Sequence, residues 1–281
     1  MKILYNTHKK FKDKPSKRQL AATSRMPRKK KSIGQNFLRK QSVVDHMIEK
    51  VSITPQVSVL EIGCGDGFLT RSILEQTACK QLWSYEIDPE WAEVVSKSVT
   101  DPRLTVKLEN ILTADFAPLQ EHKPWVILAN LPYQITFPIL FLIKNNKDLF
   151  QEGVVMVQEE VAQKITGKSG RGYNQTSLFL QHHFDWQLME KIEPSAFTPA
   201  PKVFSRLLYF KPKTELELIP QEEKFWAFLK LCFKSPRQTL RNNIRTTHYT
   251  LTSIPEDILM LRAQQMSFEQ FLALWKTLIN Q

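Results

Sequence analysis

Residues 57–76 have the sequence VSVLEIGCGDGFLTRSILEQ, and this stretch decides the fold of the chain. Its first six residues form a mostly apolar run that is typical of a buried strand, and Phe68–Gln76 has the apolar spacing of a short helix. Three of the eight glycines in the chain, Gly63, Gly65 and Gly67, lie between the two. A strand, a glycine-rich turn and a helix in this order predict an open α/β sheet with a ligand site at the turn.

The spacing of these glycines indicates which ligand the turn accommodates. Glycine permits a positive φ and lets a ligand approach the backbone, because no Cβ stands in the way. The pattern is GxGxG, with Phe68 at the place of the third glycine of the dinucleotide-binding GxGxxG pattern. We therefore expect an adenosyl ligand without phosphates, S-adenosylmethionine; a tight turn without any ligand is the alternative.

An acidic residue, Glu86, is predicted at the end of the next strand, which covers residues 82–87. In open α/β sheets ligands bind beyond the carboxyl ends of the strands, and an acid at this place accepts hydrogen bonds from ribose hydroxyls. The alternative is that Glu86 only caps the following helix, in which Pro89 lies in the first turn. Together with the glycine-rich turn, Glu86 favours the binding of a nucleoside.

The tetrad Asn130-Leu131-Pro132-Tyr133 follows a further predicted strand at residues 125–129. Its side-chain and backbone carbonyl oxygens can accept hydrogen bonds from the amino group of a planar base, and the Tyr133 ring can stack on that base. Pro132 stiffens the loop because its ring fixes φ. The tetrad therefore predicts a base-binding loop at the same sheet edge; the alternative is an ordinary turn with a buried tyrosine.

The remaining sequence alternates between predicted strands and helices and becomes mostly helical from residue 221. Strands are predicted at residues 104–108, 154–158, 186–192 and 206–210, and helices at 89–99, 138–144 and 159–166. This alternation is typical of a parallel sheet with crossover helices. We predict three parts: a basic, disordered tail (1–31), an α/β domain that binds S-adenosylmethionine (32–212) and a small all-helical, RNA-contacting domain (213–281).

Charge separates the tail from the rest of the chain. The net charge is +11, and residues 1–31 hold 12 basic residues and one acid, whereas residues 32–281 carry 27 basic and 27 acidic residues. A basic arm on a neutral body favours contact with a polyanion, RNA above all, over a solvated terminus without a partner.

Composition argues against several other classes of protein. No run approaches the about 20 apolar residues of a membrane-spanning helix, and no apolar segment of a secretory signal follows Met1. The three cysteines, Cys64, Cys79 and Cys232, lack the spacing of a disulfide framework or a metal-binding module. We therefore expect no membrane segment and no metal site, and we expect a reducing compartment, the cytoplasm. The acid-poor tail leaves an organelle transit peptide as the alternative, although the tail is rich in Lys rather than Arg and has no clear amphipathic period.

These motifs together resemble those of the small-subunit ribosomal RNA adenine dimethyltransferases (KsgA type), from about Gly34 to the C-terminus. The resemblance also rests on GQNFL at residues 34–38, FTPAPKVFS at residues 197–205 and the stretch from Phe233 to Ile244. It implies a Rossmann-like class I methyltransferase sheet with a small all-helical C-terminal domain. It further implies S-adenosylmethionine-dependent N6,N6-dimethylation of two adjacent adenosines in the 3′-terminal hairpin loop of 16S rRNA. The implied enzyme is a monomer that acts on the immature 30S particle and has a role in small-subunit biogenesis.

The resemblance also assigns roles to individual residues. The cofactor-binding set is Asn36 and Leu38 at the methionine end, Gly63 along the backbone, Glu86 at the ribose, Asn110 at the adenine, and Asn130. The set that acts on the target adenine is Asn130, Leu131, Pro132, Tyr133 and Phe197, with Tyr133 and Phe197 on opposite faces of the base. The positions that depart from the pattern of the family are Cys64, Asn110, Gln134, Pro236 and Gln238. The uncharged Asn110, at the place of an Asp, predicts weaker cofactor binding, and the last two positions predict a weaker RNA contact.

Two other functions stay open. The tetrad is also similar to that of adenine methyltransferases that modify large-subunit rRNA and give antibiotic resistance, although FTPAPKV followed by a basic helical region favours the small-subunit class. The second is a binding protein that keeps the fold and acts in ribosome assembly or transcription. The presence of Asn130, Tyr133 and Glu86 argues against a loss of catalysis.

Overall fold

The computed structural model describes residue 27, residues 35–247 and residues 249–280. The predicted tail, apart from Pro27, and Gly34 of the GQNFL motif lie outside the described residues. The strands are β1 (Phe37–Leu38), β2 (Ser58–Ile62), β3 (Gln81–Glu86), β4 (Leu104–Leu108), β5 (Trp125–Asn130), β6 (Phe150–Gln158), β7 (Phe184–Ile192), β8 (Phe197–Thr198) and β9 (Ser205–Pro212). The α-helices are α1 (Gln41–Glu49), α2 (Phe68–Gln76), α3 (Pro89–Ser98), α4 (Thr136–Asn145), α5 (Glu159–Thr166), α6 (Gln175–His183), α7 (Glu222–Cys232), α8 (Leu240–Ile244), α9 (Glu256–Met260) and α10 (Phe268–Ile279).

Seven of these strands form one mixed sheet in the order β4-β3-β2-β5-β6-β9-β7. The first five are parallel to one another, whereas β9 is antiparallel to both β6 and β7. The prediction of a Rossmann-like α/β sheet is thereby confirmed, and the expected parallel sheet gains antiparallel pairs at one edge. The structure describes the whole segment from β7 to β9, and it contains no α-helix. The two strands can therefore be antiparallel, because parallel neighbours need a crossover connection, which is usually helical.

The sheet is buried on both faces because its central strands are almost wholly apolar. Successive residues of a strand point to opposite faces, so Leu60 of β2 joins one core and Val59 joins the other. β5 divides in the same way, with Ile127 in the first core and Val126 in the second. Two cores on one sheet are what a mostly parallel sheet covered on both sides requires.

The C-terminal helices α7 to α10 surround a third core. Its largest fully buried side chains are Phe225, Phe228, Phe271 and Trp275. Leu178 of α6 belongs to this core, whereas Leu180 of the same helix belongs to the first core. Helix α6 therefore connects the sheet to the C-terminal helices, and the domain boundary at residue 212 stays a prediction. None of the described helices is both long and apolar enough to cross a membrane.

The carboxyl ends of the parallel strands meet along one edge of the sheet. The register pairs Ile62, the last residue of β2, with the penultimate residue of β3, and Asn130, the last residue of β5, with Met156 of β6. The antiparallel strand β9 begins at the same edge, where Ser205 pairs with the last residue of β6. The glycine-rich turn, Glu86 and the tetrad therefore lie side by side, where an α/β sheet binds its ligand.

Candidate active site

The glycine-rich turn between β2 and α2 lines a cavity at this sheet edge. Gly63 and Gly65 have φ values of 79° and 51°, which favour glycine. A Cβ on Gly65 would lie 2.8 Å from Cε1 of Phe37, closer than such atoms pack. The Phe37 ring is itself held against Trp91, with the ring centroids 4.9 Å apart. Glycine at position 65 is therefore required by the backbone conformation and by the close approach of the Phe37 ring.

Glu86 ends β3 beside this turn, and backbone groups hold its buried carboxylate. Oε2 accepts from Gly65 N at 2.9 Å, and Oε1 accepts from Asp88 N at 2.9 Å. Asp88, not Glu86, caps α3, because its side chain accepts from Glu90 N. Oε2 is otherwise approached only by the weak thiol donor of Cys64, at 3.8 Å, among the described residues. A carboxylate has about four acceptor sites and backbone N–H groups occupy two of them, so Glu86 can accept from two ribose hydroxyls once the weak thiol contact is displaced.

Residues 35–39 form a second wall of the cavity. Strand β1 pairs with β8, and Arg39 N donates to the carbonyl oxygen of the residue before β8 at 2.8 Å. The Arg39 guanidinium forms an ion pair with Asp66 of the glycine-rich turn. The segment is thereby tied to both β8 and the turn, and its residues Asn36 and Leu38 line the cavity.

The tetrad borders the cavity at the end of β5, and the Asn130 side chain is fixed there. Asn130 Nδ2 donates to Asn36 O at 2.9 Å. Because a carbonyl oxygen can only accept, the amide NH2 must face Asn36, and Oδ1 is left without a partner among the described residues. Pro132 O accepts from Ile135 N at 3.1 Å, whereas Leu131 O accepts no hydrogen bond within the described part of the chain. Asn130 Oδ1 and Leu131 O are therefore the free acceptors of the loop.

Strand β9 fixes the Tyr133 phenol. Tyr133 Oη lies 2.6 Å from Oγ of Ser205, which is fully buried. Burial raises the pKa of the Tyr133 phenol, so the hydroxyl stays protonated at neutral pH. Ser205 belongs to the FTPAPKVFS segment, and the sequence analysis assigned it no role of its own.

One cavity of about 240 Å³ brings most of the predicted site residues together. They are Asn36, Leu38, Gly63, Glu86, Asn110, Asn130, Leu131, Pro132 and Tyr133. Phe197 is not among the residues that line it: the side chain is buried in β8 and packs in the second core. The structure therefore does not bring Phe197 opposite Tyr133, and the assignment of Phe197 to the base stays a prediction.

Asn110, at the place of the usual Asp, uses its side-chain oxygen locally. Oδ1 accepts from Leu112 N at 3.1 Å, which closes a turn after β4. The residue lines the cavity, where the amide NH2 and the second lone pair of Oδ1 remain for a ligand. The amide contributes no charge at this position.

Glu61, the acid of β2 just before the glycine-rich turn, does not line the cavity, and its buried state was not predicted from the sequence. Its carboxyl group is fully buried, Thr70 Oγ1 donates to Oε2 at 2.7 Å, and burial raises its pKa to about 7. Oε1 is buried without a hydrogen-bond partner among the described residues. The signal was the strand itself, because an acid within a strand that is buried on both faces must find partners or hold its proton. Burial also raises the pKa of the neighbouring Cys64 thiol, which is therefore no nucleophile.

One group of side chains in the described part of the chain has the composition of a metal site. His182, His183 and Glu222 have ligand atoms within 4.8 Å of one another, between α6 and α7. Burial lowers the pKa of His183 to about 3, so its ring is neutral. The ammonium groups of Lys144, Lys147 and Lys213 contribute to this lowering. Their positive potential opposes a divalent cation, and none of the three candidate ligands lines the cavity. The cluster is therefore not part of the candidate active site.

A second concavity, of about 310 Å³, lies in the C-terminal region and is polar and basic. It is lined by Lys234, Ser235, Gln238, Asn242, Asn243, Arg245 and Thr246. Arg241, from the same stretch, is instead paired with Glu256. Ammonium, guanidinium, hydroxyl and amide donors together suit the phosphates of a nucleic acid.

The mixed sheet, with its glycine-rich turn, acidic strand end and acceptor-bearing loop at one edge, defines a Rossmann-like class I methyltransferase. Comparison with known proteins narrows this class. Residues 26–279 match the model of the family described as "Ribosomal RNA adenine dimethylase". The chain belongs to the ribosomal RNA adenine dimethylase family, so the predictions of its family and of an enzyme are confirmed.

Relatives and solved structures agree with this assignment. The chain is 32% identical over 248 residues to the Ribosomal RNA small subunit methyltransferase A of Chlorobium phaeobacteroides, which covers 88% of this chain and 90% of the relative. It is 36% identical over 219 residues to the protein of the same name from Mesomycoplasma hyopneumoniae, and the match covers 78% of this chain and 82% of the relative. The solved structure of the 23S rRNA methyltransferase ErmE has a TM-score of 0.70 and 26% identity, covering 87% of this chain and all of that chain. A dimethyladenosine transferase from Plasmodium falciparum shares the fold, with a TM-score of 0.72 and 23% identity. The match covers 87% of this chain and 96% of that chain.

Proposed function

We propose that this protein transfers methyl groups from S-adenosylmethionine to the exocyclic nitrogens of two adjacent adenosines in the 3′-terminal hairpin loop of small-subunit (16S) rRNA. Each adenosine becomes N6,N6-dimethyladenosine. The observation that carries the proposal is that the tetrad and Glu86 line one cavity, so that acceptors for an amine lie beside a site for a nucleoside. The choice of RNA is supported by the small-subunit methyltransferases that are 32% and 36% identical to this chain.

The residues around the cavity fit S-adenosylmethionine. Glu86 offers carboxylate oxygens to the ribose hydroxyls, and the glycine-rich turn leaves room for a close approach to the backbone. Asn36 and Leu38 border the cavity from the wall of residues 35–39, and Asn110 offers an amide to the adenine. When bound, this cofactor supplies an electrophilic methyl group, and the protein supplies its position.

In this reaction the protein has to hold a poor nucleophile, the exocyclic nitrogen of adenine, in position. The lone pair of the exocyclic nitrogen of adenine is delocalised into the ring, and hydrogen bonds from its two hydrogens favour a more tetrahedral nitrogen. Asn130 Oδ1 and Leu131 O are the acceptors without other partners in the described structure, whereas Pro132 O already closes the turn to Ile135. The nitrogen is strongly acidic once it is methylated and releases its proton to water, so no general base is required. Orientation of the amine then supplies much of the rate.

The target base must be unpaired or flipped out of a helix, because a base inside a duplex cannot enter such a cavity. Unstacked loop bases meet this requirement. In our proposal Tyr133, held by Ser205, stacks on one face of the adenine. Phe197 contacts the other face after its side chain leaves the second core.

Large-subunit rRNA is the second candidate substrate, because the 23S rRNA methyltransferase ErmE shares the fold with a TM-score of 0.70. We favour the small subunit because the relatives with higher identity carry small-subunit names. A protein that keeps the fold and only binds RNA was the other function that the sequence left open. The family of the chain and the retention of Asn130, Tyr133 and Glu86 around one cavity argue against it.

We further propose that the protein acts as a monomer on the immature 30S particle in the cytoplasm. The basic concavity of the C-terminal region and the 12 basic residues of the tail at 1–31 supply phosphate contacts. In this proposal residues 32–212 carry out methylation, and residues 213–281 hold the RNA.

Mapping of methylated adenosines tests the proposal. The full-length protein and labelled S-adenosylmethionine are incubated with small subunits that lack dimethyladenosine, and with large subunits in parallel. We expect two adjacent adenosines of the small-subunit loop to gain two methyl groups each. Methylation of the large subunit alone contradicts the choice of RNA. Cofactor binding in calorimetry without methylation of either subunit supports the RNA-binding protein instead.

A further inference from the structure

We propose that Phe204 and Lys191 form a subsite for the nucleotide next to the target adenosine. The Phe204 ring stacks on the base of that nucleotide, and the Lys191 ammonium contacts its phosphate. This inference rests on the proposed function, because it requires a single-stranded RNA segment at the cavity. It goes beyond the target base itself and concerns how the neighbouring nucleotide is held.

Phe204 belongs to an exposed apolar pair beside the candidate active site. Phe204 is 41% exposed and Val203 is 43% exposed, and Lys202 before them is exposed as well. A single exposed apolar side chain is ordinary on a protein surface, whereas adjacent ones next to a functional cavity indicate a contact surface. The exposed pair is directly followed by Ser205, the residue that holds Tyr133.

The backbone at Phe204 is held in place, so the ring is presented from a rigid base. Phe204 O accepts from Glu159 N at 3.0 Å, at the start of α5. The next residue, Ser205, pairs with the last residue of β6, and its Oγ lies 2.6 Å from Tyr133 Oη. Consecutive Cα atoms are about 3.8 Å apart, so the Cα of Phe204 lies about 3.8 Å from that of Ser205, the residue that anchors Tyr133. The Phe204 backbone is therefore fixed directly beside the residue that anchors Tyr133.

A cation accompanies the exposed ring. Lys191 Nζ lies 4.1 Å from the centroid of the Phe204 ring. Lys191 also lies within electrostatic range of Glu159, but Arg206 already holds that carboxylate through hydrogen bonds of 2.7 and 2.8 Å. The Lys191 ammonium is therefore not committed to a carboxylate. An aromatic face with an adjacent cation is the combination that binds single-stranded nucleic acids, which stack their bases and carry phosphates.

Steady-state kinetics of the full-length protein on unmethylated small subunits test this subsite. Phe204→Ala should raise the KM for the particle by about 5-fold or more, the lower end of the range for one lost base stack, and leave kcat and the cofactor Kd unchanged. Phe204→Tyr keeps an aromatic face and should retain the normal KM. Lys191→Gln should raise the KM and lower the slope of its salt dependence by about one phosphate contact. The matched control is Phe141→Ala, which removes a phenylalanine ring that is 37% exposed on α4 and does not line the cavity, and which should leave the KM unchanged.

Three outcomes overturn the subsite. The first is an unchanged KM in Phe204→Ala. The second is a KM raised as much by Phe204→Tyr as by Phe204→Ala, because stacking then plays no part. The third is a fall of kcat at unchanged KM, which means that Phe204 only supports Tyr133 through Ser205. Failure of the proposed function has a different signature, since the unsubstituted protein itself then leaves the small subunit unmethylated.

Discussion

Replacing Asn130 with alanine removes a side-chain amide group. In the structure this amide donates one hydrogen bond through Nδ2, and its Oδ1 is a free acceptor among the described residues. The hydrogen bond, from Nδ2 to Asn36 O at 2.9 Å, stabilises the fold by about 0.5–1.5 kcal/mol. Loss of an acceptor positioned for the reacting amine lowers turnover by about 100-fold or more, which corresponds to ~2.7 kcal/mol in the transition state. The expected loss of rate is therefore larger than the expected loss of stability.

Two measurements on two variants separate these effects. Single-turnover methylation of unmethylated small subunits, with enzyme and cofactor saturating, gives the rate, and thermal melting gives the stability. Asn146→Ala is the matched control, because Asn146 Nδ2 donates to Leu142 O at the same 2.9 Å but the residue does not line the cavity. We expect both variants to melt a few degrees lower, at about 2–4 °C per kcal/mol, and only Asn130→Ala to lose turnover.

Near-normal turnover in a well-folded Asn130→Ala protein refutes the role of Asn130 in catalysis. An equal loss of turnover in Asn146→Ala refutes it as well, because activity then follows stability and not the acceptor. Binding of small subunits should change little in either variant, since it is spread over many phosphate contacts.

Four other perturbations test separate parts of the molecule. Glu86→Gln replaces one carboxylate oxygen by an NH2 group that cannot accept, so calorimetry should show S-adenosylmethionine binding weaker by about 1–3 kcal/mol; an unchanged affinity contradicts the placement of the ribose. Asn110→Asp adds an acceptor oxygen and a charge beside the adenine, so the same titration should show tighter binding, and weaker binding shows that the side chain faces another group. The pKa of Glu61 is raised from 4.5 to about 7, so between these values the folded protein holds a proton that the unfolded chain has released, and the free energy of unfolding falls as pH rises. Glu61→Gln should reduce this fall in urea denaturation, and an unaltered pH dependence is evidence against the raised pKa. Deletion of residues 1–25 should weaken binding to small subunits and flatten its salt dependence without affecting cofactor binding; an unchanged salt slope shows that the tail does not contact RNA.

The strand, turn and helix at residues 57–76 could be predicted because local sequence determines them. Helix α2 has the bounds that its apolar spacing predicts, and β2 begins one residue later than expected. Apolar strand runs and clustered glycines are visible without knowledge of their neighbours. The meeting of Glu86 and the tetrad then follows, because carboxyl ends of parallel strands share one edge of a sheet.

The wall formed by residues 35–39 could not be predicted from the sequence pattern. Strands β1 and β8 have two residues each, which is too short to show a period of two, and they are distant in the chain. The contacts of Asn36 O with Asn130 and of the Phe37 ring with the glycine-rich turn depend on this pairing. Nothing in the sequence of either segment indicates its partner.

The direction of β9 was also beyond the sequence pattern. The apolar run at residues 206–210 indicates a strand, but neither its orientation nor its neighbours. Insertion of β9 between β6 and β7, antiparallel to both, brings Ser205 to Tyr133. The motif that contains Phe197 likewise says nothing about the side-chain conformation, which in this structure is buried in β8.

The pairing of β1 with β8 sets a limit on how far the N-terminal side of the chain can be trimmed. A shortened protein that begins at Lys40 keeps all seven strands of the large sheet and the helices around them. It lacks the carbonyl group that orients the Asn130 amide and the aromatic ring that covers Gly65. We expect such a protein to keep the residues of the C-terminal basic concavity and to lose the groups that prepare its cavity for chemistry.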